Sequence, residues 1–302
     1  MFHAFAVAGE RDEEMATVLI TGTNTGIGLA TAVQLARAGH EVFASMRHPD
    51  ASPELGEIVA AGGLPVSLVQ LDVDSDDSVS NAVSEILAAR GNIDVLVNNA
   101  GIGWVGPIVE KPLSEFRQVM ETNFFGALRC IQAVLPSMRM QRSGCIINVT
   151  SVAGRIATAP QAAYTASKHA LEAISEVLAQ EVKAFDIRVA IVEPGIIQTP
   201  IFSKMQEISP DTLYPHERRL EALFAKSNED PVSPYVVAEK IEEIIASDSS
   251  QLRYPVGPDA QPFLEWRRSM SDEEWVDWAA QEDEAWCESV RRDFGLDVQL
   301  TD

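Results

Sequence analysis

The stretch Thr17–Thr21, TVLIT, runs without a break into Gly22, Gly26 and Gly28 of TGTNTGIG, and a helical pattern opens on the last of these glycines. Leu29, Ala32, Val33 and Ala36 recur at helical spacing, and Gly39 stands past the end as a stop. A strand that turns through glycines into a helix allows few folds. Without side chains the backbone N–H groups approach an anion closely, and the helix N-terminus supplies positive potential at that point. The unit predicts a pyrophosphate site at the edge of a parallel sheet.

The rest of the chain repeats the alternation. Strands are expected at Glu41–Ser45, at Val66–Leu71 ending in Asp72, at Asp94–Val97 leading into NNAG (Asn98–Gly101), at Cys145–Thr150, at Ile187–Val192 and at Leu252–Val256. Between them lie helical patterns: one capped at Asp74 or Ser75, carrying Val79, Val83, Ile86 and Leu87 and stopped by Gly91; one from Ser114 through Asn123 and Ile131 to about Pro136; one from Tyr164 to Val182; and one opened by Ser233–Pro234. The order predicts an α/β fold: a Rossmann-type, doubly wound parallel sheet of about seven strands with helices on both faces. Residues 1–14 read as a flexible extension and 15–302 as a single domain. Within it, 196–230 is expected to cover the sheet's C-terminal edge. The acidic stretch 259–302 holds four of the five tryptophans, Trp266, Trp275, Trp278 and Trp286. Helices packed on the domain or on another subunit are expected there, in preference to a ligand cage.

A net charge of −22 argues against nucleic acid and anionic membrane surfaces as partners, and no apolar run is long enough to span a membrane. Cys130, Cys145 and Cys287 show neither pairing nor metal-ligand spacing, so a reducing cytoplasm and no metal are expected.

The chemistry points to TSVAGRIATAPQAAYTASKHA, residues 150–170. Tyr164 and Lys168 fall one helical turn apart on one face. An ammonium beside a phenol favours the phenolate, and a free tyrosine titrates near ~10, so proton transfer at neutral pH needs such help. Ser151, at the end of the apolar run CIINVTS, can present its hydroxyl to the same point. Taken alone, a Tyr and a Lys four apart suit any amphipathic helix; the motifs upstream reverse that weighting.

With TGTNTGIG, NNAG, Asn123, Ser151, the Tyr164–Lys168 pair and PGIIQT in this order, the chain resembles the short-chain dehydrogenase/reductase family over roughly residues 15–256, and the strand-two ending VFASMR with the insertion after Gly195 resembles its hydroxysteroid and retinol dehydrogenase branch. The resemblance implies hydride exchange between a nicotinamide dinucleotide and an alcohol or ketone. It makes Tyr164 the acid/base, Lys168 the group that lowers its pKa and bonds the nicotinamide ribose, Ser151 the residue that polarises the carbonyl, and Asn123 the holder of a relay water. The cofactor would lie on Gly22, Thr23, Asn24, Gly26, Ile27 and Gly28. Asp72 would meet the adenine and Thr199 the nicotinamide side, and Val73, Asn99, Ala100, Gly101, Pro194, Gly195 and Ile197 would also bind the cofactor, with Tyr164 and Lys168. A lyase or epimerase, or a non-catalytic dinucleotide sensor, could use the same fold; the intact Tyr164 and Lys168 argue against the sensor.

The second strand ends Ala44-Ser45-Met46-Arg47, without the acid that holds the ribose 2′-hydroxyl of NAD. Arg47 can pair with a 2′-phosphate, so NADP(H) is expected ahead of NAD(H). Trp104, Ile156, Phe202, Met205, Leu213, Tyr214, Leu220 and Phe224 are expected to line the substrate pocket. Such a lining suits a bulky apolar secondary alcohol or ketone; a 3-oxoacyl or small carbonyl compound is the alternative. The family habit of pairing long helices implies a homodimer or homotetramer, to which Cys130, Ile131 and Val134 would contribute apolar surface.

Overall fold

A computed structural model describes residues 15–202 and 212–300; the stretch 1–14, Met205 and the side chain of Phe202 lie outside the described part. Among the described residues seven strands form one wholly parallel sheet in the order β3-β2-β1-β4-β5-β6-β7. They are β1 (Thr17–Thr21), β2 (Glu41–Met46), β3 (Val66–Gln70), β4 (Val95–Asn98), β5 (Gly144–Val149), β6 (Ile187–Pro194) and β7 (Arg253–Val256). Ile20 of β1 stands beside Ala44 on one side and Val97 on the other. Pairing proceeds outward from β1 to β3, then resumes on the far side with β4. This reversal opens a crevice at the C-terminal ends of β1 and β4, where ligands of such sheets bind.

Successive side chains along a strand leave opposite faces, and the core divides accordingly. Val18 and Ile20 pack with α1 (Gly26–Arg37), α2 (Pro53–Gly62) and Val237, Ile241 and Ile244 of α8 (Tyr235–Ala246). Leu19, between them, joins the other face with α3 (Asp76–Arg90), α5 (Gly126–Gln141) and α6 (Ala162–Val182). The doubly wound architecture expected from the alternation is therefore present.

Four readings from the sequence need correction. Helix α2 was not anticipated between the second and third strands; Leu55, fully buried, with Ile58 and Val59 gives it only a short apolar stripe behind Pro53. The segment expected to end near Pro136 runs on to Gln141, because Met138 beyond the proline is as deeply buried as Val134 before it. The same stretch is not one continuous helix. It starts as α4 (Leu113–Met120), passes through a π-helical turn at Glu121–Phe125 and continues as α5. Lastly, Cys130, Ile131 and Val134 face the sheet, at 0%, 3% and 0% exposure, and offer no surface to a partner. The large apolar side chains these helices leave in solvent are Leu113, Phe125, Met140 and, on α6, Val177.

After β6 come α7 (His216–Ser227), α8 and β7, then α9 (Ala260–Arg268), α10 (Asp272–Ala279) and α11 (Asp283–Phe294). Arg219 fastens α7 to the C-terminal helices. Its guanidinium, almost wholly buried, donates to Asp283 Oδ1 at 2.7 Å and to the carbonyls of Ala279 and Gln281 at 3.1 and 2.6 Å, and it lies over the Trp286 ring. A buried guanidinium needs this many acceptors to offset its desolvation. No helix among the described residues is long and apolar enough to cross a membrane.

Candidate active site

The loop after β1 is shaped by what a side chain would strike. At Gly28 an added Cβ would stand 2.3 Å from the carbonyl oxygen of Gly22 and 2.4 Å from Asn99 Nδ2. Only glycine lets the helix start tuck under the turn. Asn99 completes the joint, donating from Nδ2 to the carbonyls of Thr21 and Gly22 at 2.9 and 3.0 Å. Gly22, Asn24, Thr25, Gly26 and Ile27 line a cavity of about 1220 Å3, larger than single small-molecule sites commonly are. Thr23 and Gly28 lie beneath it: Thr23 is fully buried, and both its N–H and its hydroxyl donate to Ser45 O, at 3.0 and 3.1 Å.

The same cavity is lined by Arg47, Asp72, Val73, Asn99, Ala100, Gly101, Ser151, Tyr164, Lys168, Pro194, Gly195, Ile197 and Thr199, so most of the expected site residues converge. Asn98 stays behind them, donating to Asn148 Oδ1 at 2.8 Å across β4 and β5. A dinucleotide fits this cradle: the turn bares backbone where glycine side chains are missing, and Thr199 closes against Gly26, whose added Cβ would meet its Cγ2 at 3.2 Å.

Ser151 hydrogen-bonds the Tyr164 hydroxyl. Its Oγ also accepts from Ala153 N at 3.1 Å and reaches Pro194 O at 3.4 Å. Lys168 Nζ donates to Val149 O at 2.9 Å and stands 5.6 Å from the Tyr164 ring centroid. Burial pushes the Tyr164 phenol up to about 12 against the Ser151 hydrogen bond, and pulls Lys168 down to about 8 against the nearby Glu172 carboxylate. The lowered phenol expected from the Tyr–Lys pair is thus not what the structure holds: burial dominates, and the Ser151 hydrogen bond opposes it only in part. The phenol is kept in its proton-bearing form.

Asn123 sits in the π-helical turn, 1% exposed. Its Oδ1 accepts from Ile102 N at 2.8 Å, and its Nδ2 donates to Ile102 O and Ser167 Oγ, each at 2.9 Å. Most of its side-chain capacity is spent anchoring the turn after β4, which leaves one oxygen lone pair for the expected water.

Of the residues expected along the substrate side, Trp104, Ile156, Leu220 and Phe224 line the cavity. Leu213 and Tyr214 do not: they are 91% and 39% exposed. Their place is taken by tryptophans that the sequence assigned to packing and by two phenylalanines that it did not single out. Phe263, Trp266, Trp275, Trp278 and Phe294 line the cavity while contacting one another; Trp275 and Trp278 stack at 5.5 Å, and Trp266 meets both edge-on. The Trp275 indole donates to Ala157 O at 3.0 Å, tying α10 to the loop after Ser151. The clustering of tryptophans was visible in the sequence, but not which cavity they would wall. Among the described lining residues the cations are Arg47 and Lys168.

The family model described as short chain dehydrogenase matches residues 16–209. Retinol dehydrogenase 8 of Bos taurus is 40% identical over 253 residues, covering 78% of this chain and 80% of that protein. A short-chain dehydrogenase from Streptomyces avermitilis superposes with a TM-score of 0.76 at 32% identity, over 92% of this chain and 99% of its own. A metagenomic short-chain oxidoreductase, solved in complex with NADP, gives a TM-score of 0.66 at 25% identity over 81% and 98%.

Proposed function

Because this chain belongs to the short-chain dehydrogenase family, and is therefore an NAD(P)-dependent oxidoreductase, we propose that it exchanges hydride between NADP(H) and a bulky, apolar secondary alcohol or ketone. The observation that carries the substrate reading is the aromatic wall: Trp266, Trp275 and Trp278, with Leu220 and Phe224, line the cavity that also holds Ser151 and Tyr164. Burial of apolar area, worth about 25 cal/mol per Å2, then supplies affinity, and the carbonyl is the polar anchor. The relation to a retinol dehydrogenase supports a large apolar alcohol. Arg47, exposed at the cavity edge just past β2, supports a 2′-phosphate on the cofactor.

In the direction of reduction, Ser151 donates a hydrogen bond to the carbonyl oxygen and fixes it beside Tyr164. A nicotinamide dinucleotide held along Gly22, Gly26 and Thr199 would supply the hydride for the carbonyl carbon. Tyr164, holding its proton firmly, releases it to the oxygen as negative charge builds there. Lys168, charged, stabilises the phenolate left behind until Tyr164 takes a proton back from solvent. Asn123 keeps the turn after β4 in register and offers its remaining lone pair to the relay.

The test is kcat/KM across ketones of increasing apolar size, with acetoacetyl esters and ketoses included. The value is expected to rise with buried apolar area. A decline with size, or preference for a ketose, would end this substrate reading.

A further inference from the structure

Below Lys168 the site rests on a buried cluster of charges. Glu172, one helical turn along α6, is 4% exposed, and Glu193, at the end of β6, is 1% exposed. Glu172 Oε1 accepts from Thr150 Oγ1 at 2.7 Å, and its Oε2 accepts from Arg253 Nε at 3.0 Å. Arg253, at the start of β7, also donates to Glu176 Oε2 at 2.7 Å and lies 3.7 Å from Glu193 Oε1. Arg155, following the turn after Ser151, reaches Glu193 Oε1 at 3.1 Å. With Lys168 the cluster sets three cations against three carboxylates. An unpaired buried carboxylate would be costly, and the fold could have used apolar side chains here.

Three of its polar residues stand beside residues of the site in the chain. Thr150 precedes Ser151, Glu172 follows Lys168 by four, and Glu193 precedes Pro194. We propose that Glu172 is a positioning residue of the reaction, one that keeps Lys168 charged within its buried setting and ties the strand ends bearing Ser151 and Pro194 to α6. The inference rests on the reaction proposed above. Burial draws the Lys168 ammonium toward neutrality and the Glu172 carboxylate opposes it, so Glu172 raises the pH at which Lys168 loses its proton. The other charged groups around Glu172 are Glu176 on its own helix, Arg253 from β7, Glu193 from β6 and Arg155 from the turn after β5.

The experiment measures two pH profiles: kcat for ketone reduction, and the affinity for NADPH (or NADH, if it binds more tightly) followed by quenching of tryptophan fluorescence. Glu172→Gln is expected to move the alkaline limb of both down by about one pH unit, the size of shift a close opposite charge causes. Glu172→Asp, which restores the charge, should return most of it. Glu176→Gln, at the solvent edge of the cluster, should leave both limbs in place. Arg253→Gln, removing a cation, should move them upward, and this opposite sign decides the matter if Glu172→Gln does not fold. Limbs of Glu172→Gln at the wild-type position, or Glu172→Gln and Arg253→Gln shifting alike, would overturn the proposal. A wild-type protein that binds the dinucleotide but reduces no ketone would refute the reaction, and the affinity limb would still judge Glu172. Wild-type turnover with unmoved limbs would refute Glu172 alone.

Discussion

At the scale of single residues, the site shows how burial reweights chemistry that spacing alone suggests. Tyr164 and Lys168 are one turn apart, as the sequence says, yet the phenol is pushed up to about 12 because both groups lie within the protein. Sequence gives the neighbour; it does not give the lost water. Arg47 poses a similar question at the other end of the cavity. It stands near Asp74, whose carboxyl is held above its usual range mainly by burial, with the Thr122 hydrogen bond and the Arg47 charge opposing. If Arg47 grips a 2′-phosphate, Met46→Asp with Arg47→Ala should swing the NADP/NAD preference toward NAD by roughly 10- to 100-fold, the worth of one or two charge-assisted hydrogen bonds. Equal KM values for the two cofactors in the unmutated protein would count against that role.

At the scale of elements, the turn between β1 and α1 was legible because its glycines are forced by geometry. Gly28→Ala is expected to break the joint, since its Cβ would fall 2.3 Å from a backbone oxygen that cannot yield. A loss of at least 1–3 kcal/mol in stability, read from denaturant unfolding, should accompany weakened dinucleotide binding. An unchanged midpoint would mean that the loop has another stable course. Elements with weaker signals were less legible. Helix α2 has one fully buried side chain, and a stripe that short does not stand out from a loop. The π-helical turn at Asn123 leaves no mark in hydrophobic spacing, although it is where a functional residue was expected. The tryptophans of α9 to α11 were legible as helices. Their position along the cavity depends on how α10 and α11 return over the sheet, through contacts such as Trp275 to Ala157 and Arg219 to Asp283.

At the scale of the whole molecule, the parallel sheet and the two-faced core follow from alternation, and that is why this level was read most completely; the strand order itself came from the structure. Assembly is a different matter. Cys130, Ile131 and Val134 belong to the core, so any pairing through these helices must use their outer residues, Leu113, Phe125, Met140 and Val177 among them. The expectation of a homodimer or homotetramer predicts a mass near two or four times 32.9 kDa by light scattering at micromolar concentration. A monomer there would overturn it.

The central claim is that Tyr164 donates the proton, and the most direct test is Tyr164→Phe, which deletes the transferable proton and little volume. The measurement is kcat for ketone reduction beside the dissociation constant of NADPH. The account predicts a fall in kcat of about 10²- to 10⁴-fold, the usual worth of a general acid, with dinucleotide affinity within a few-fold of the parent. A variant that retains near-normal kcat would contradict it.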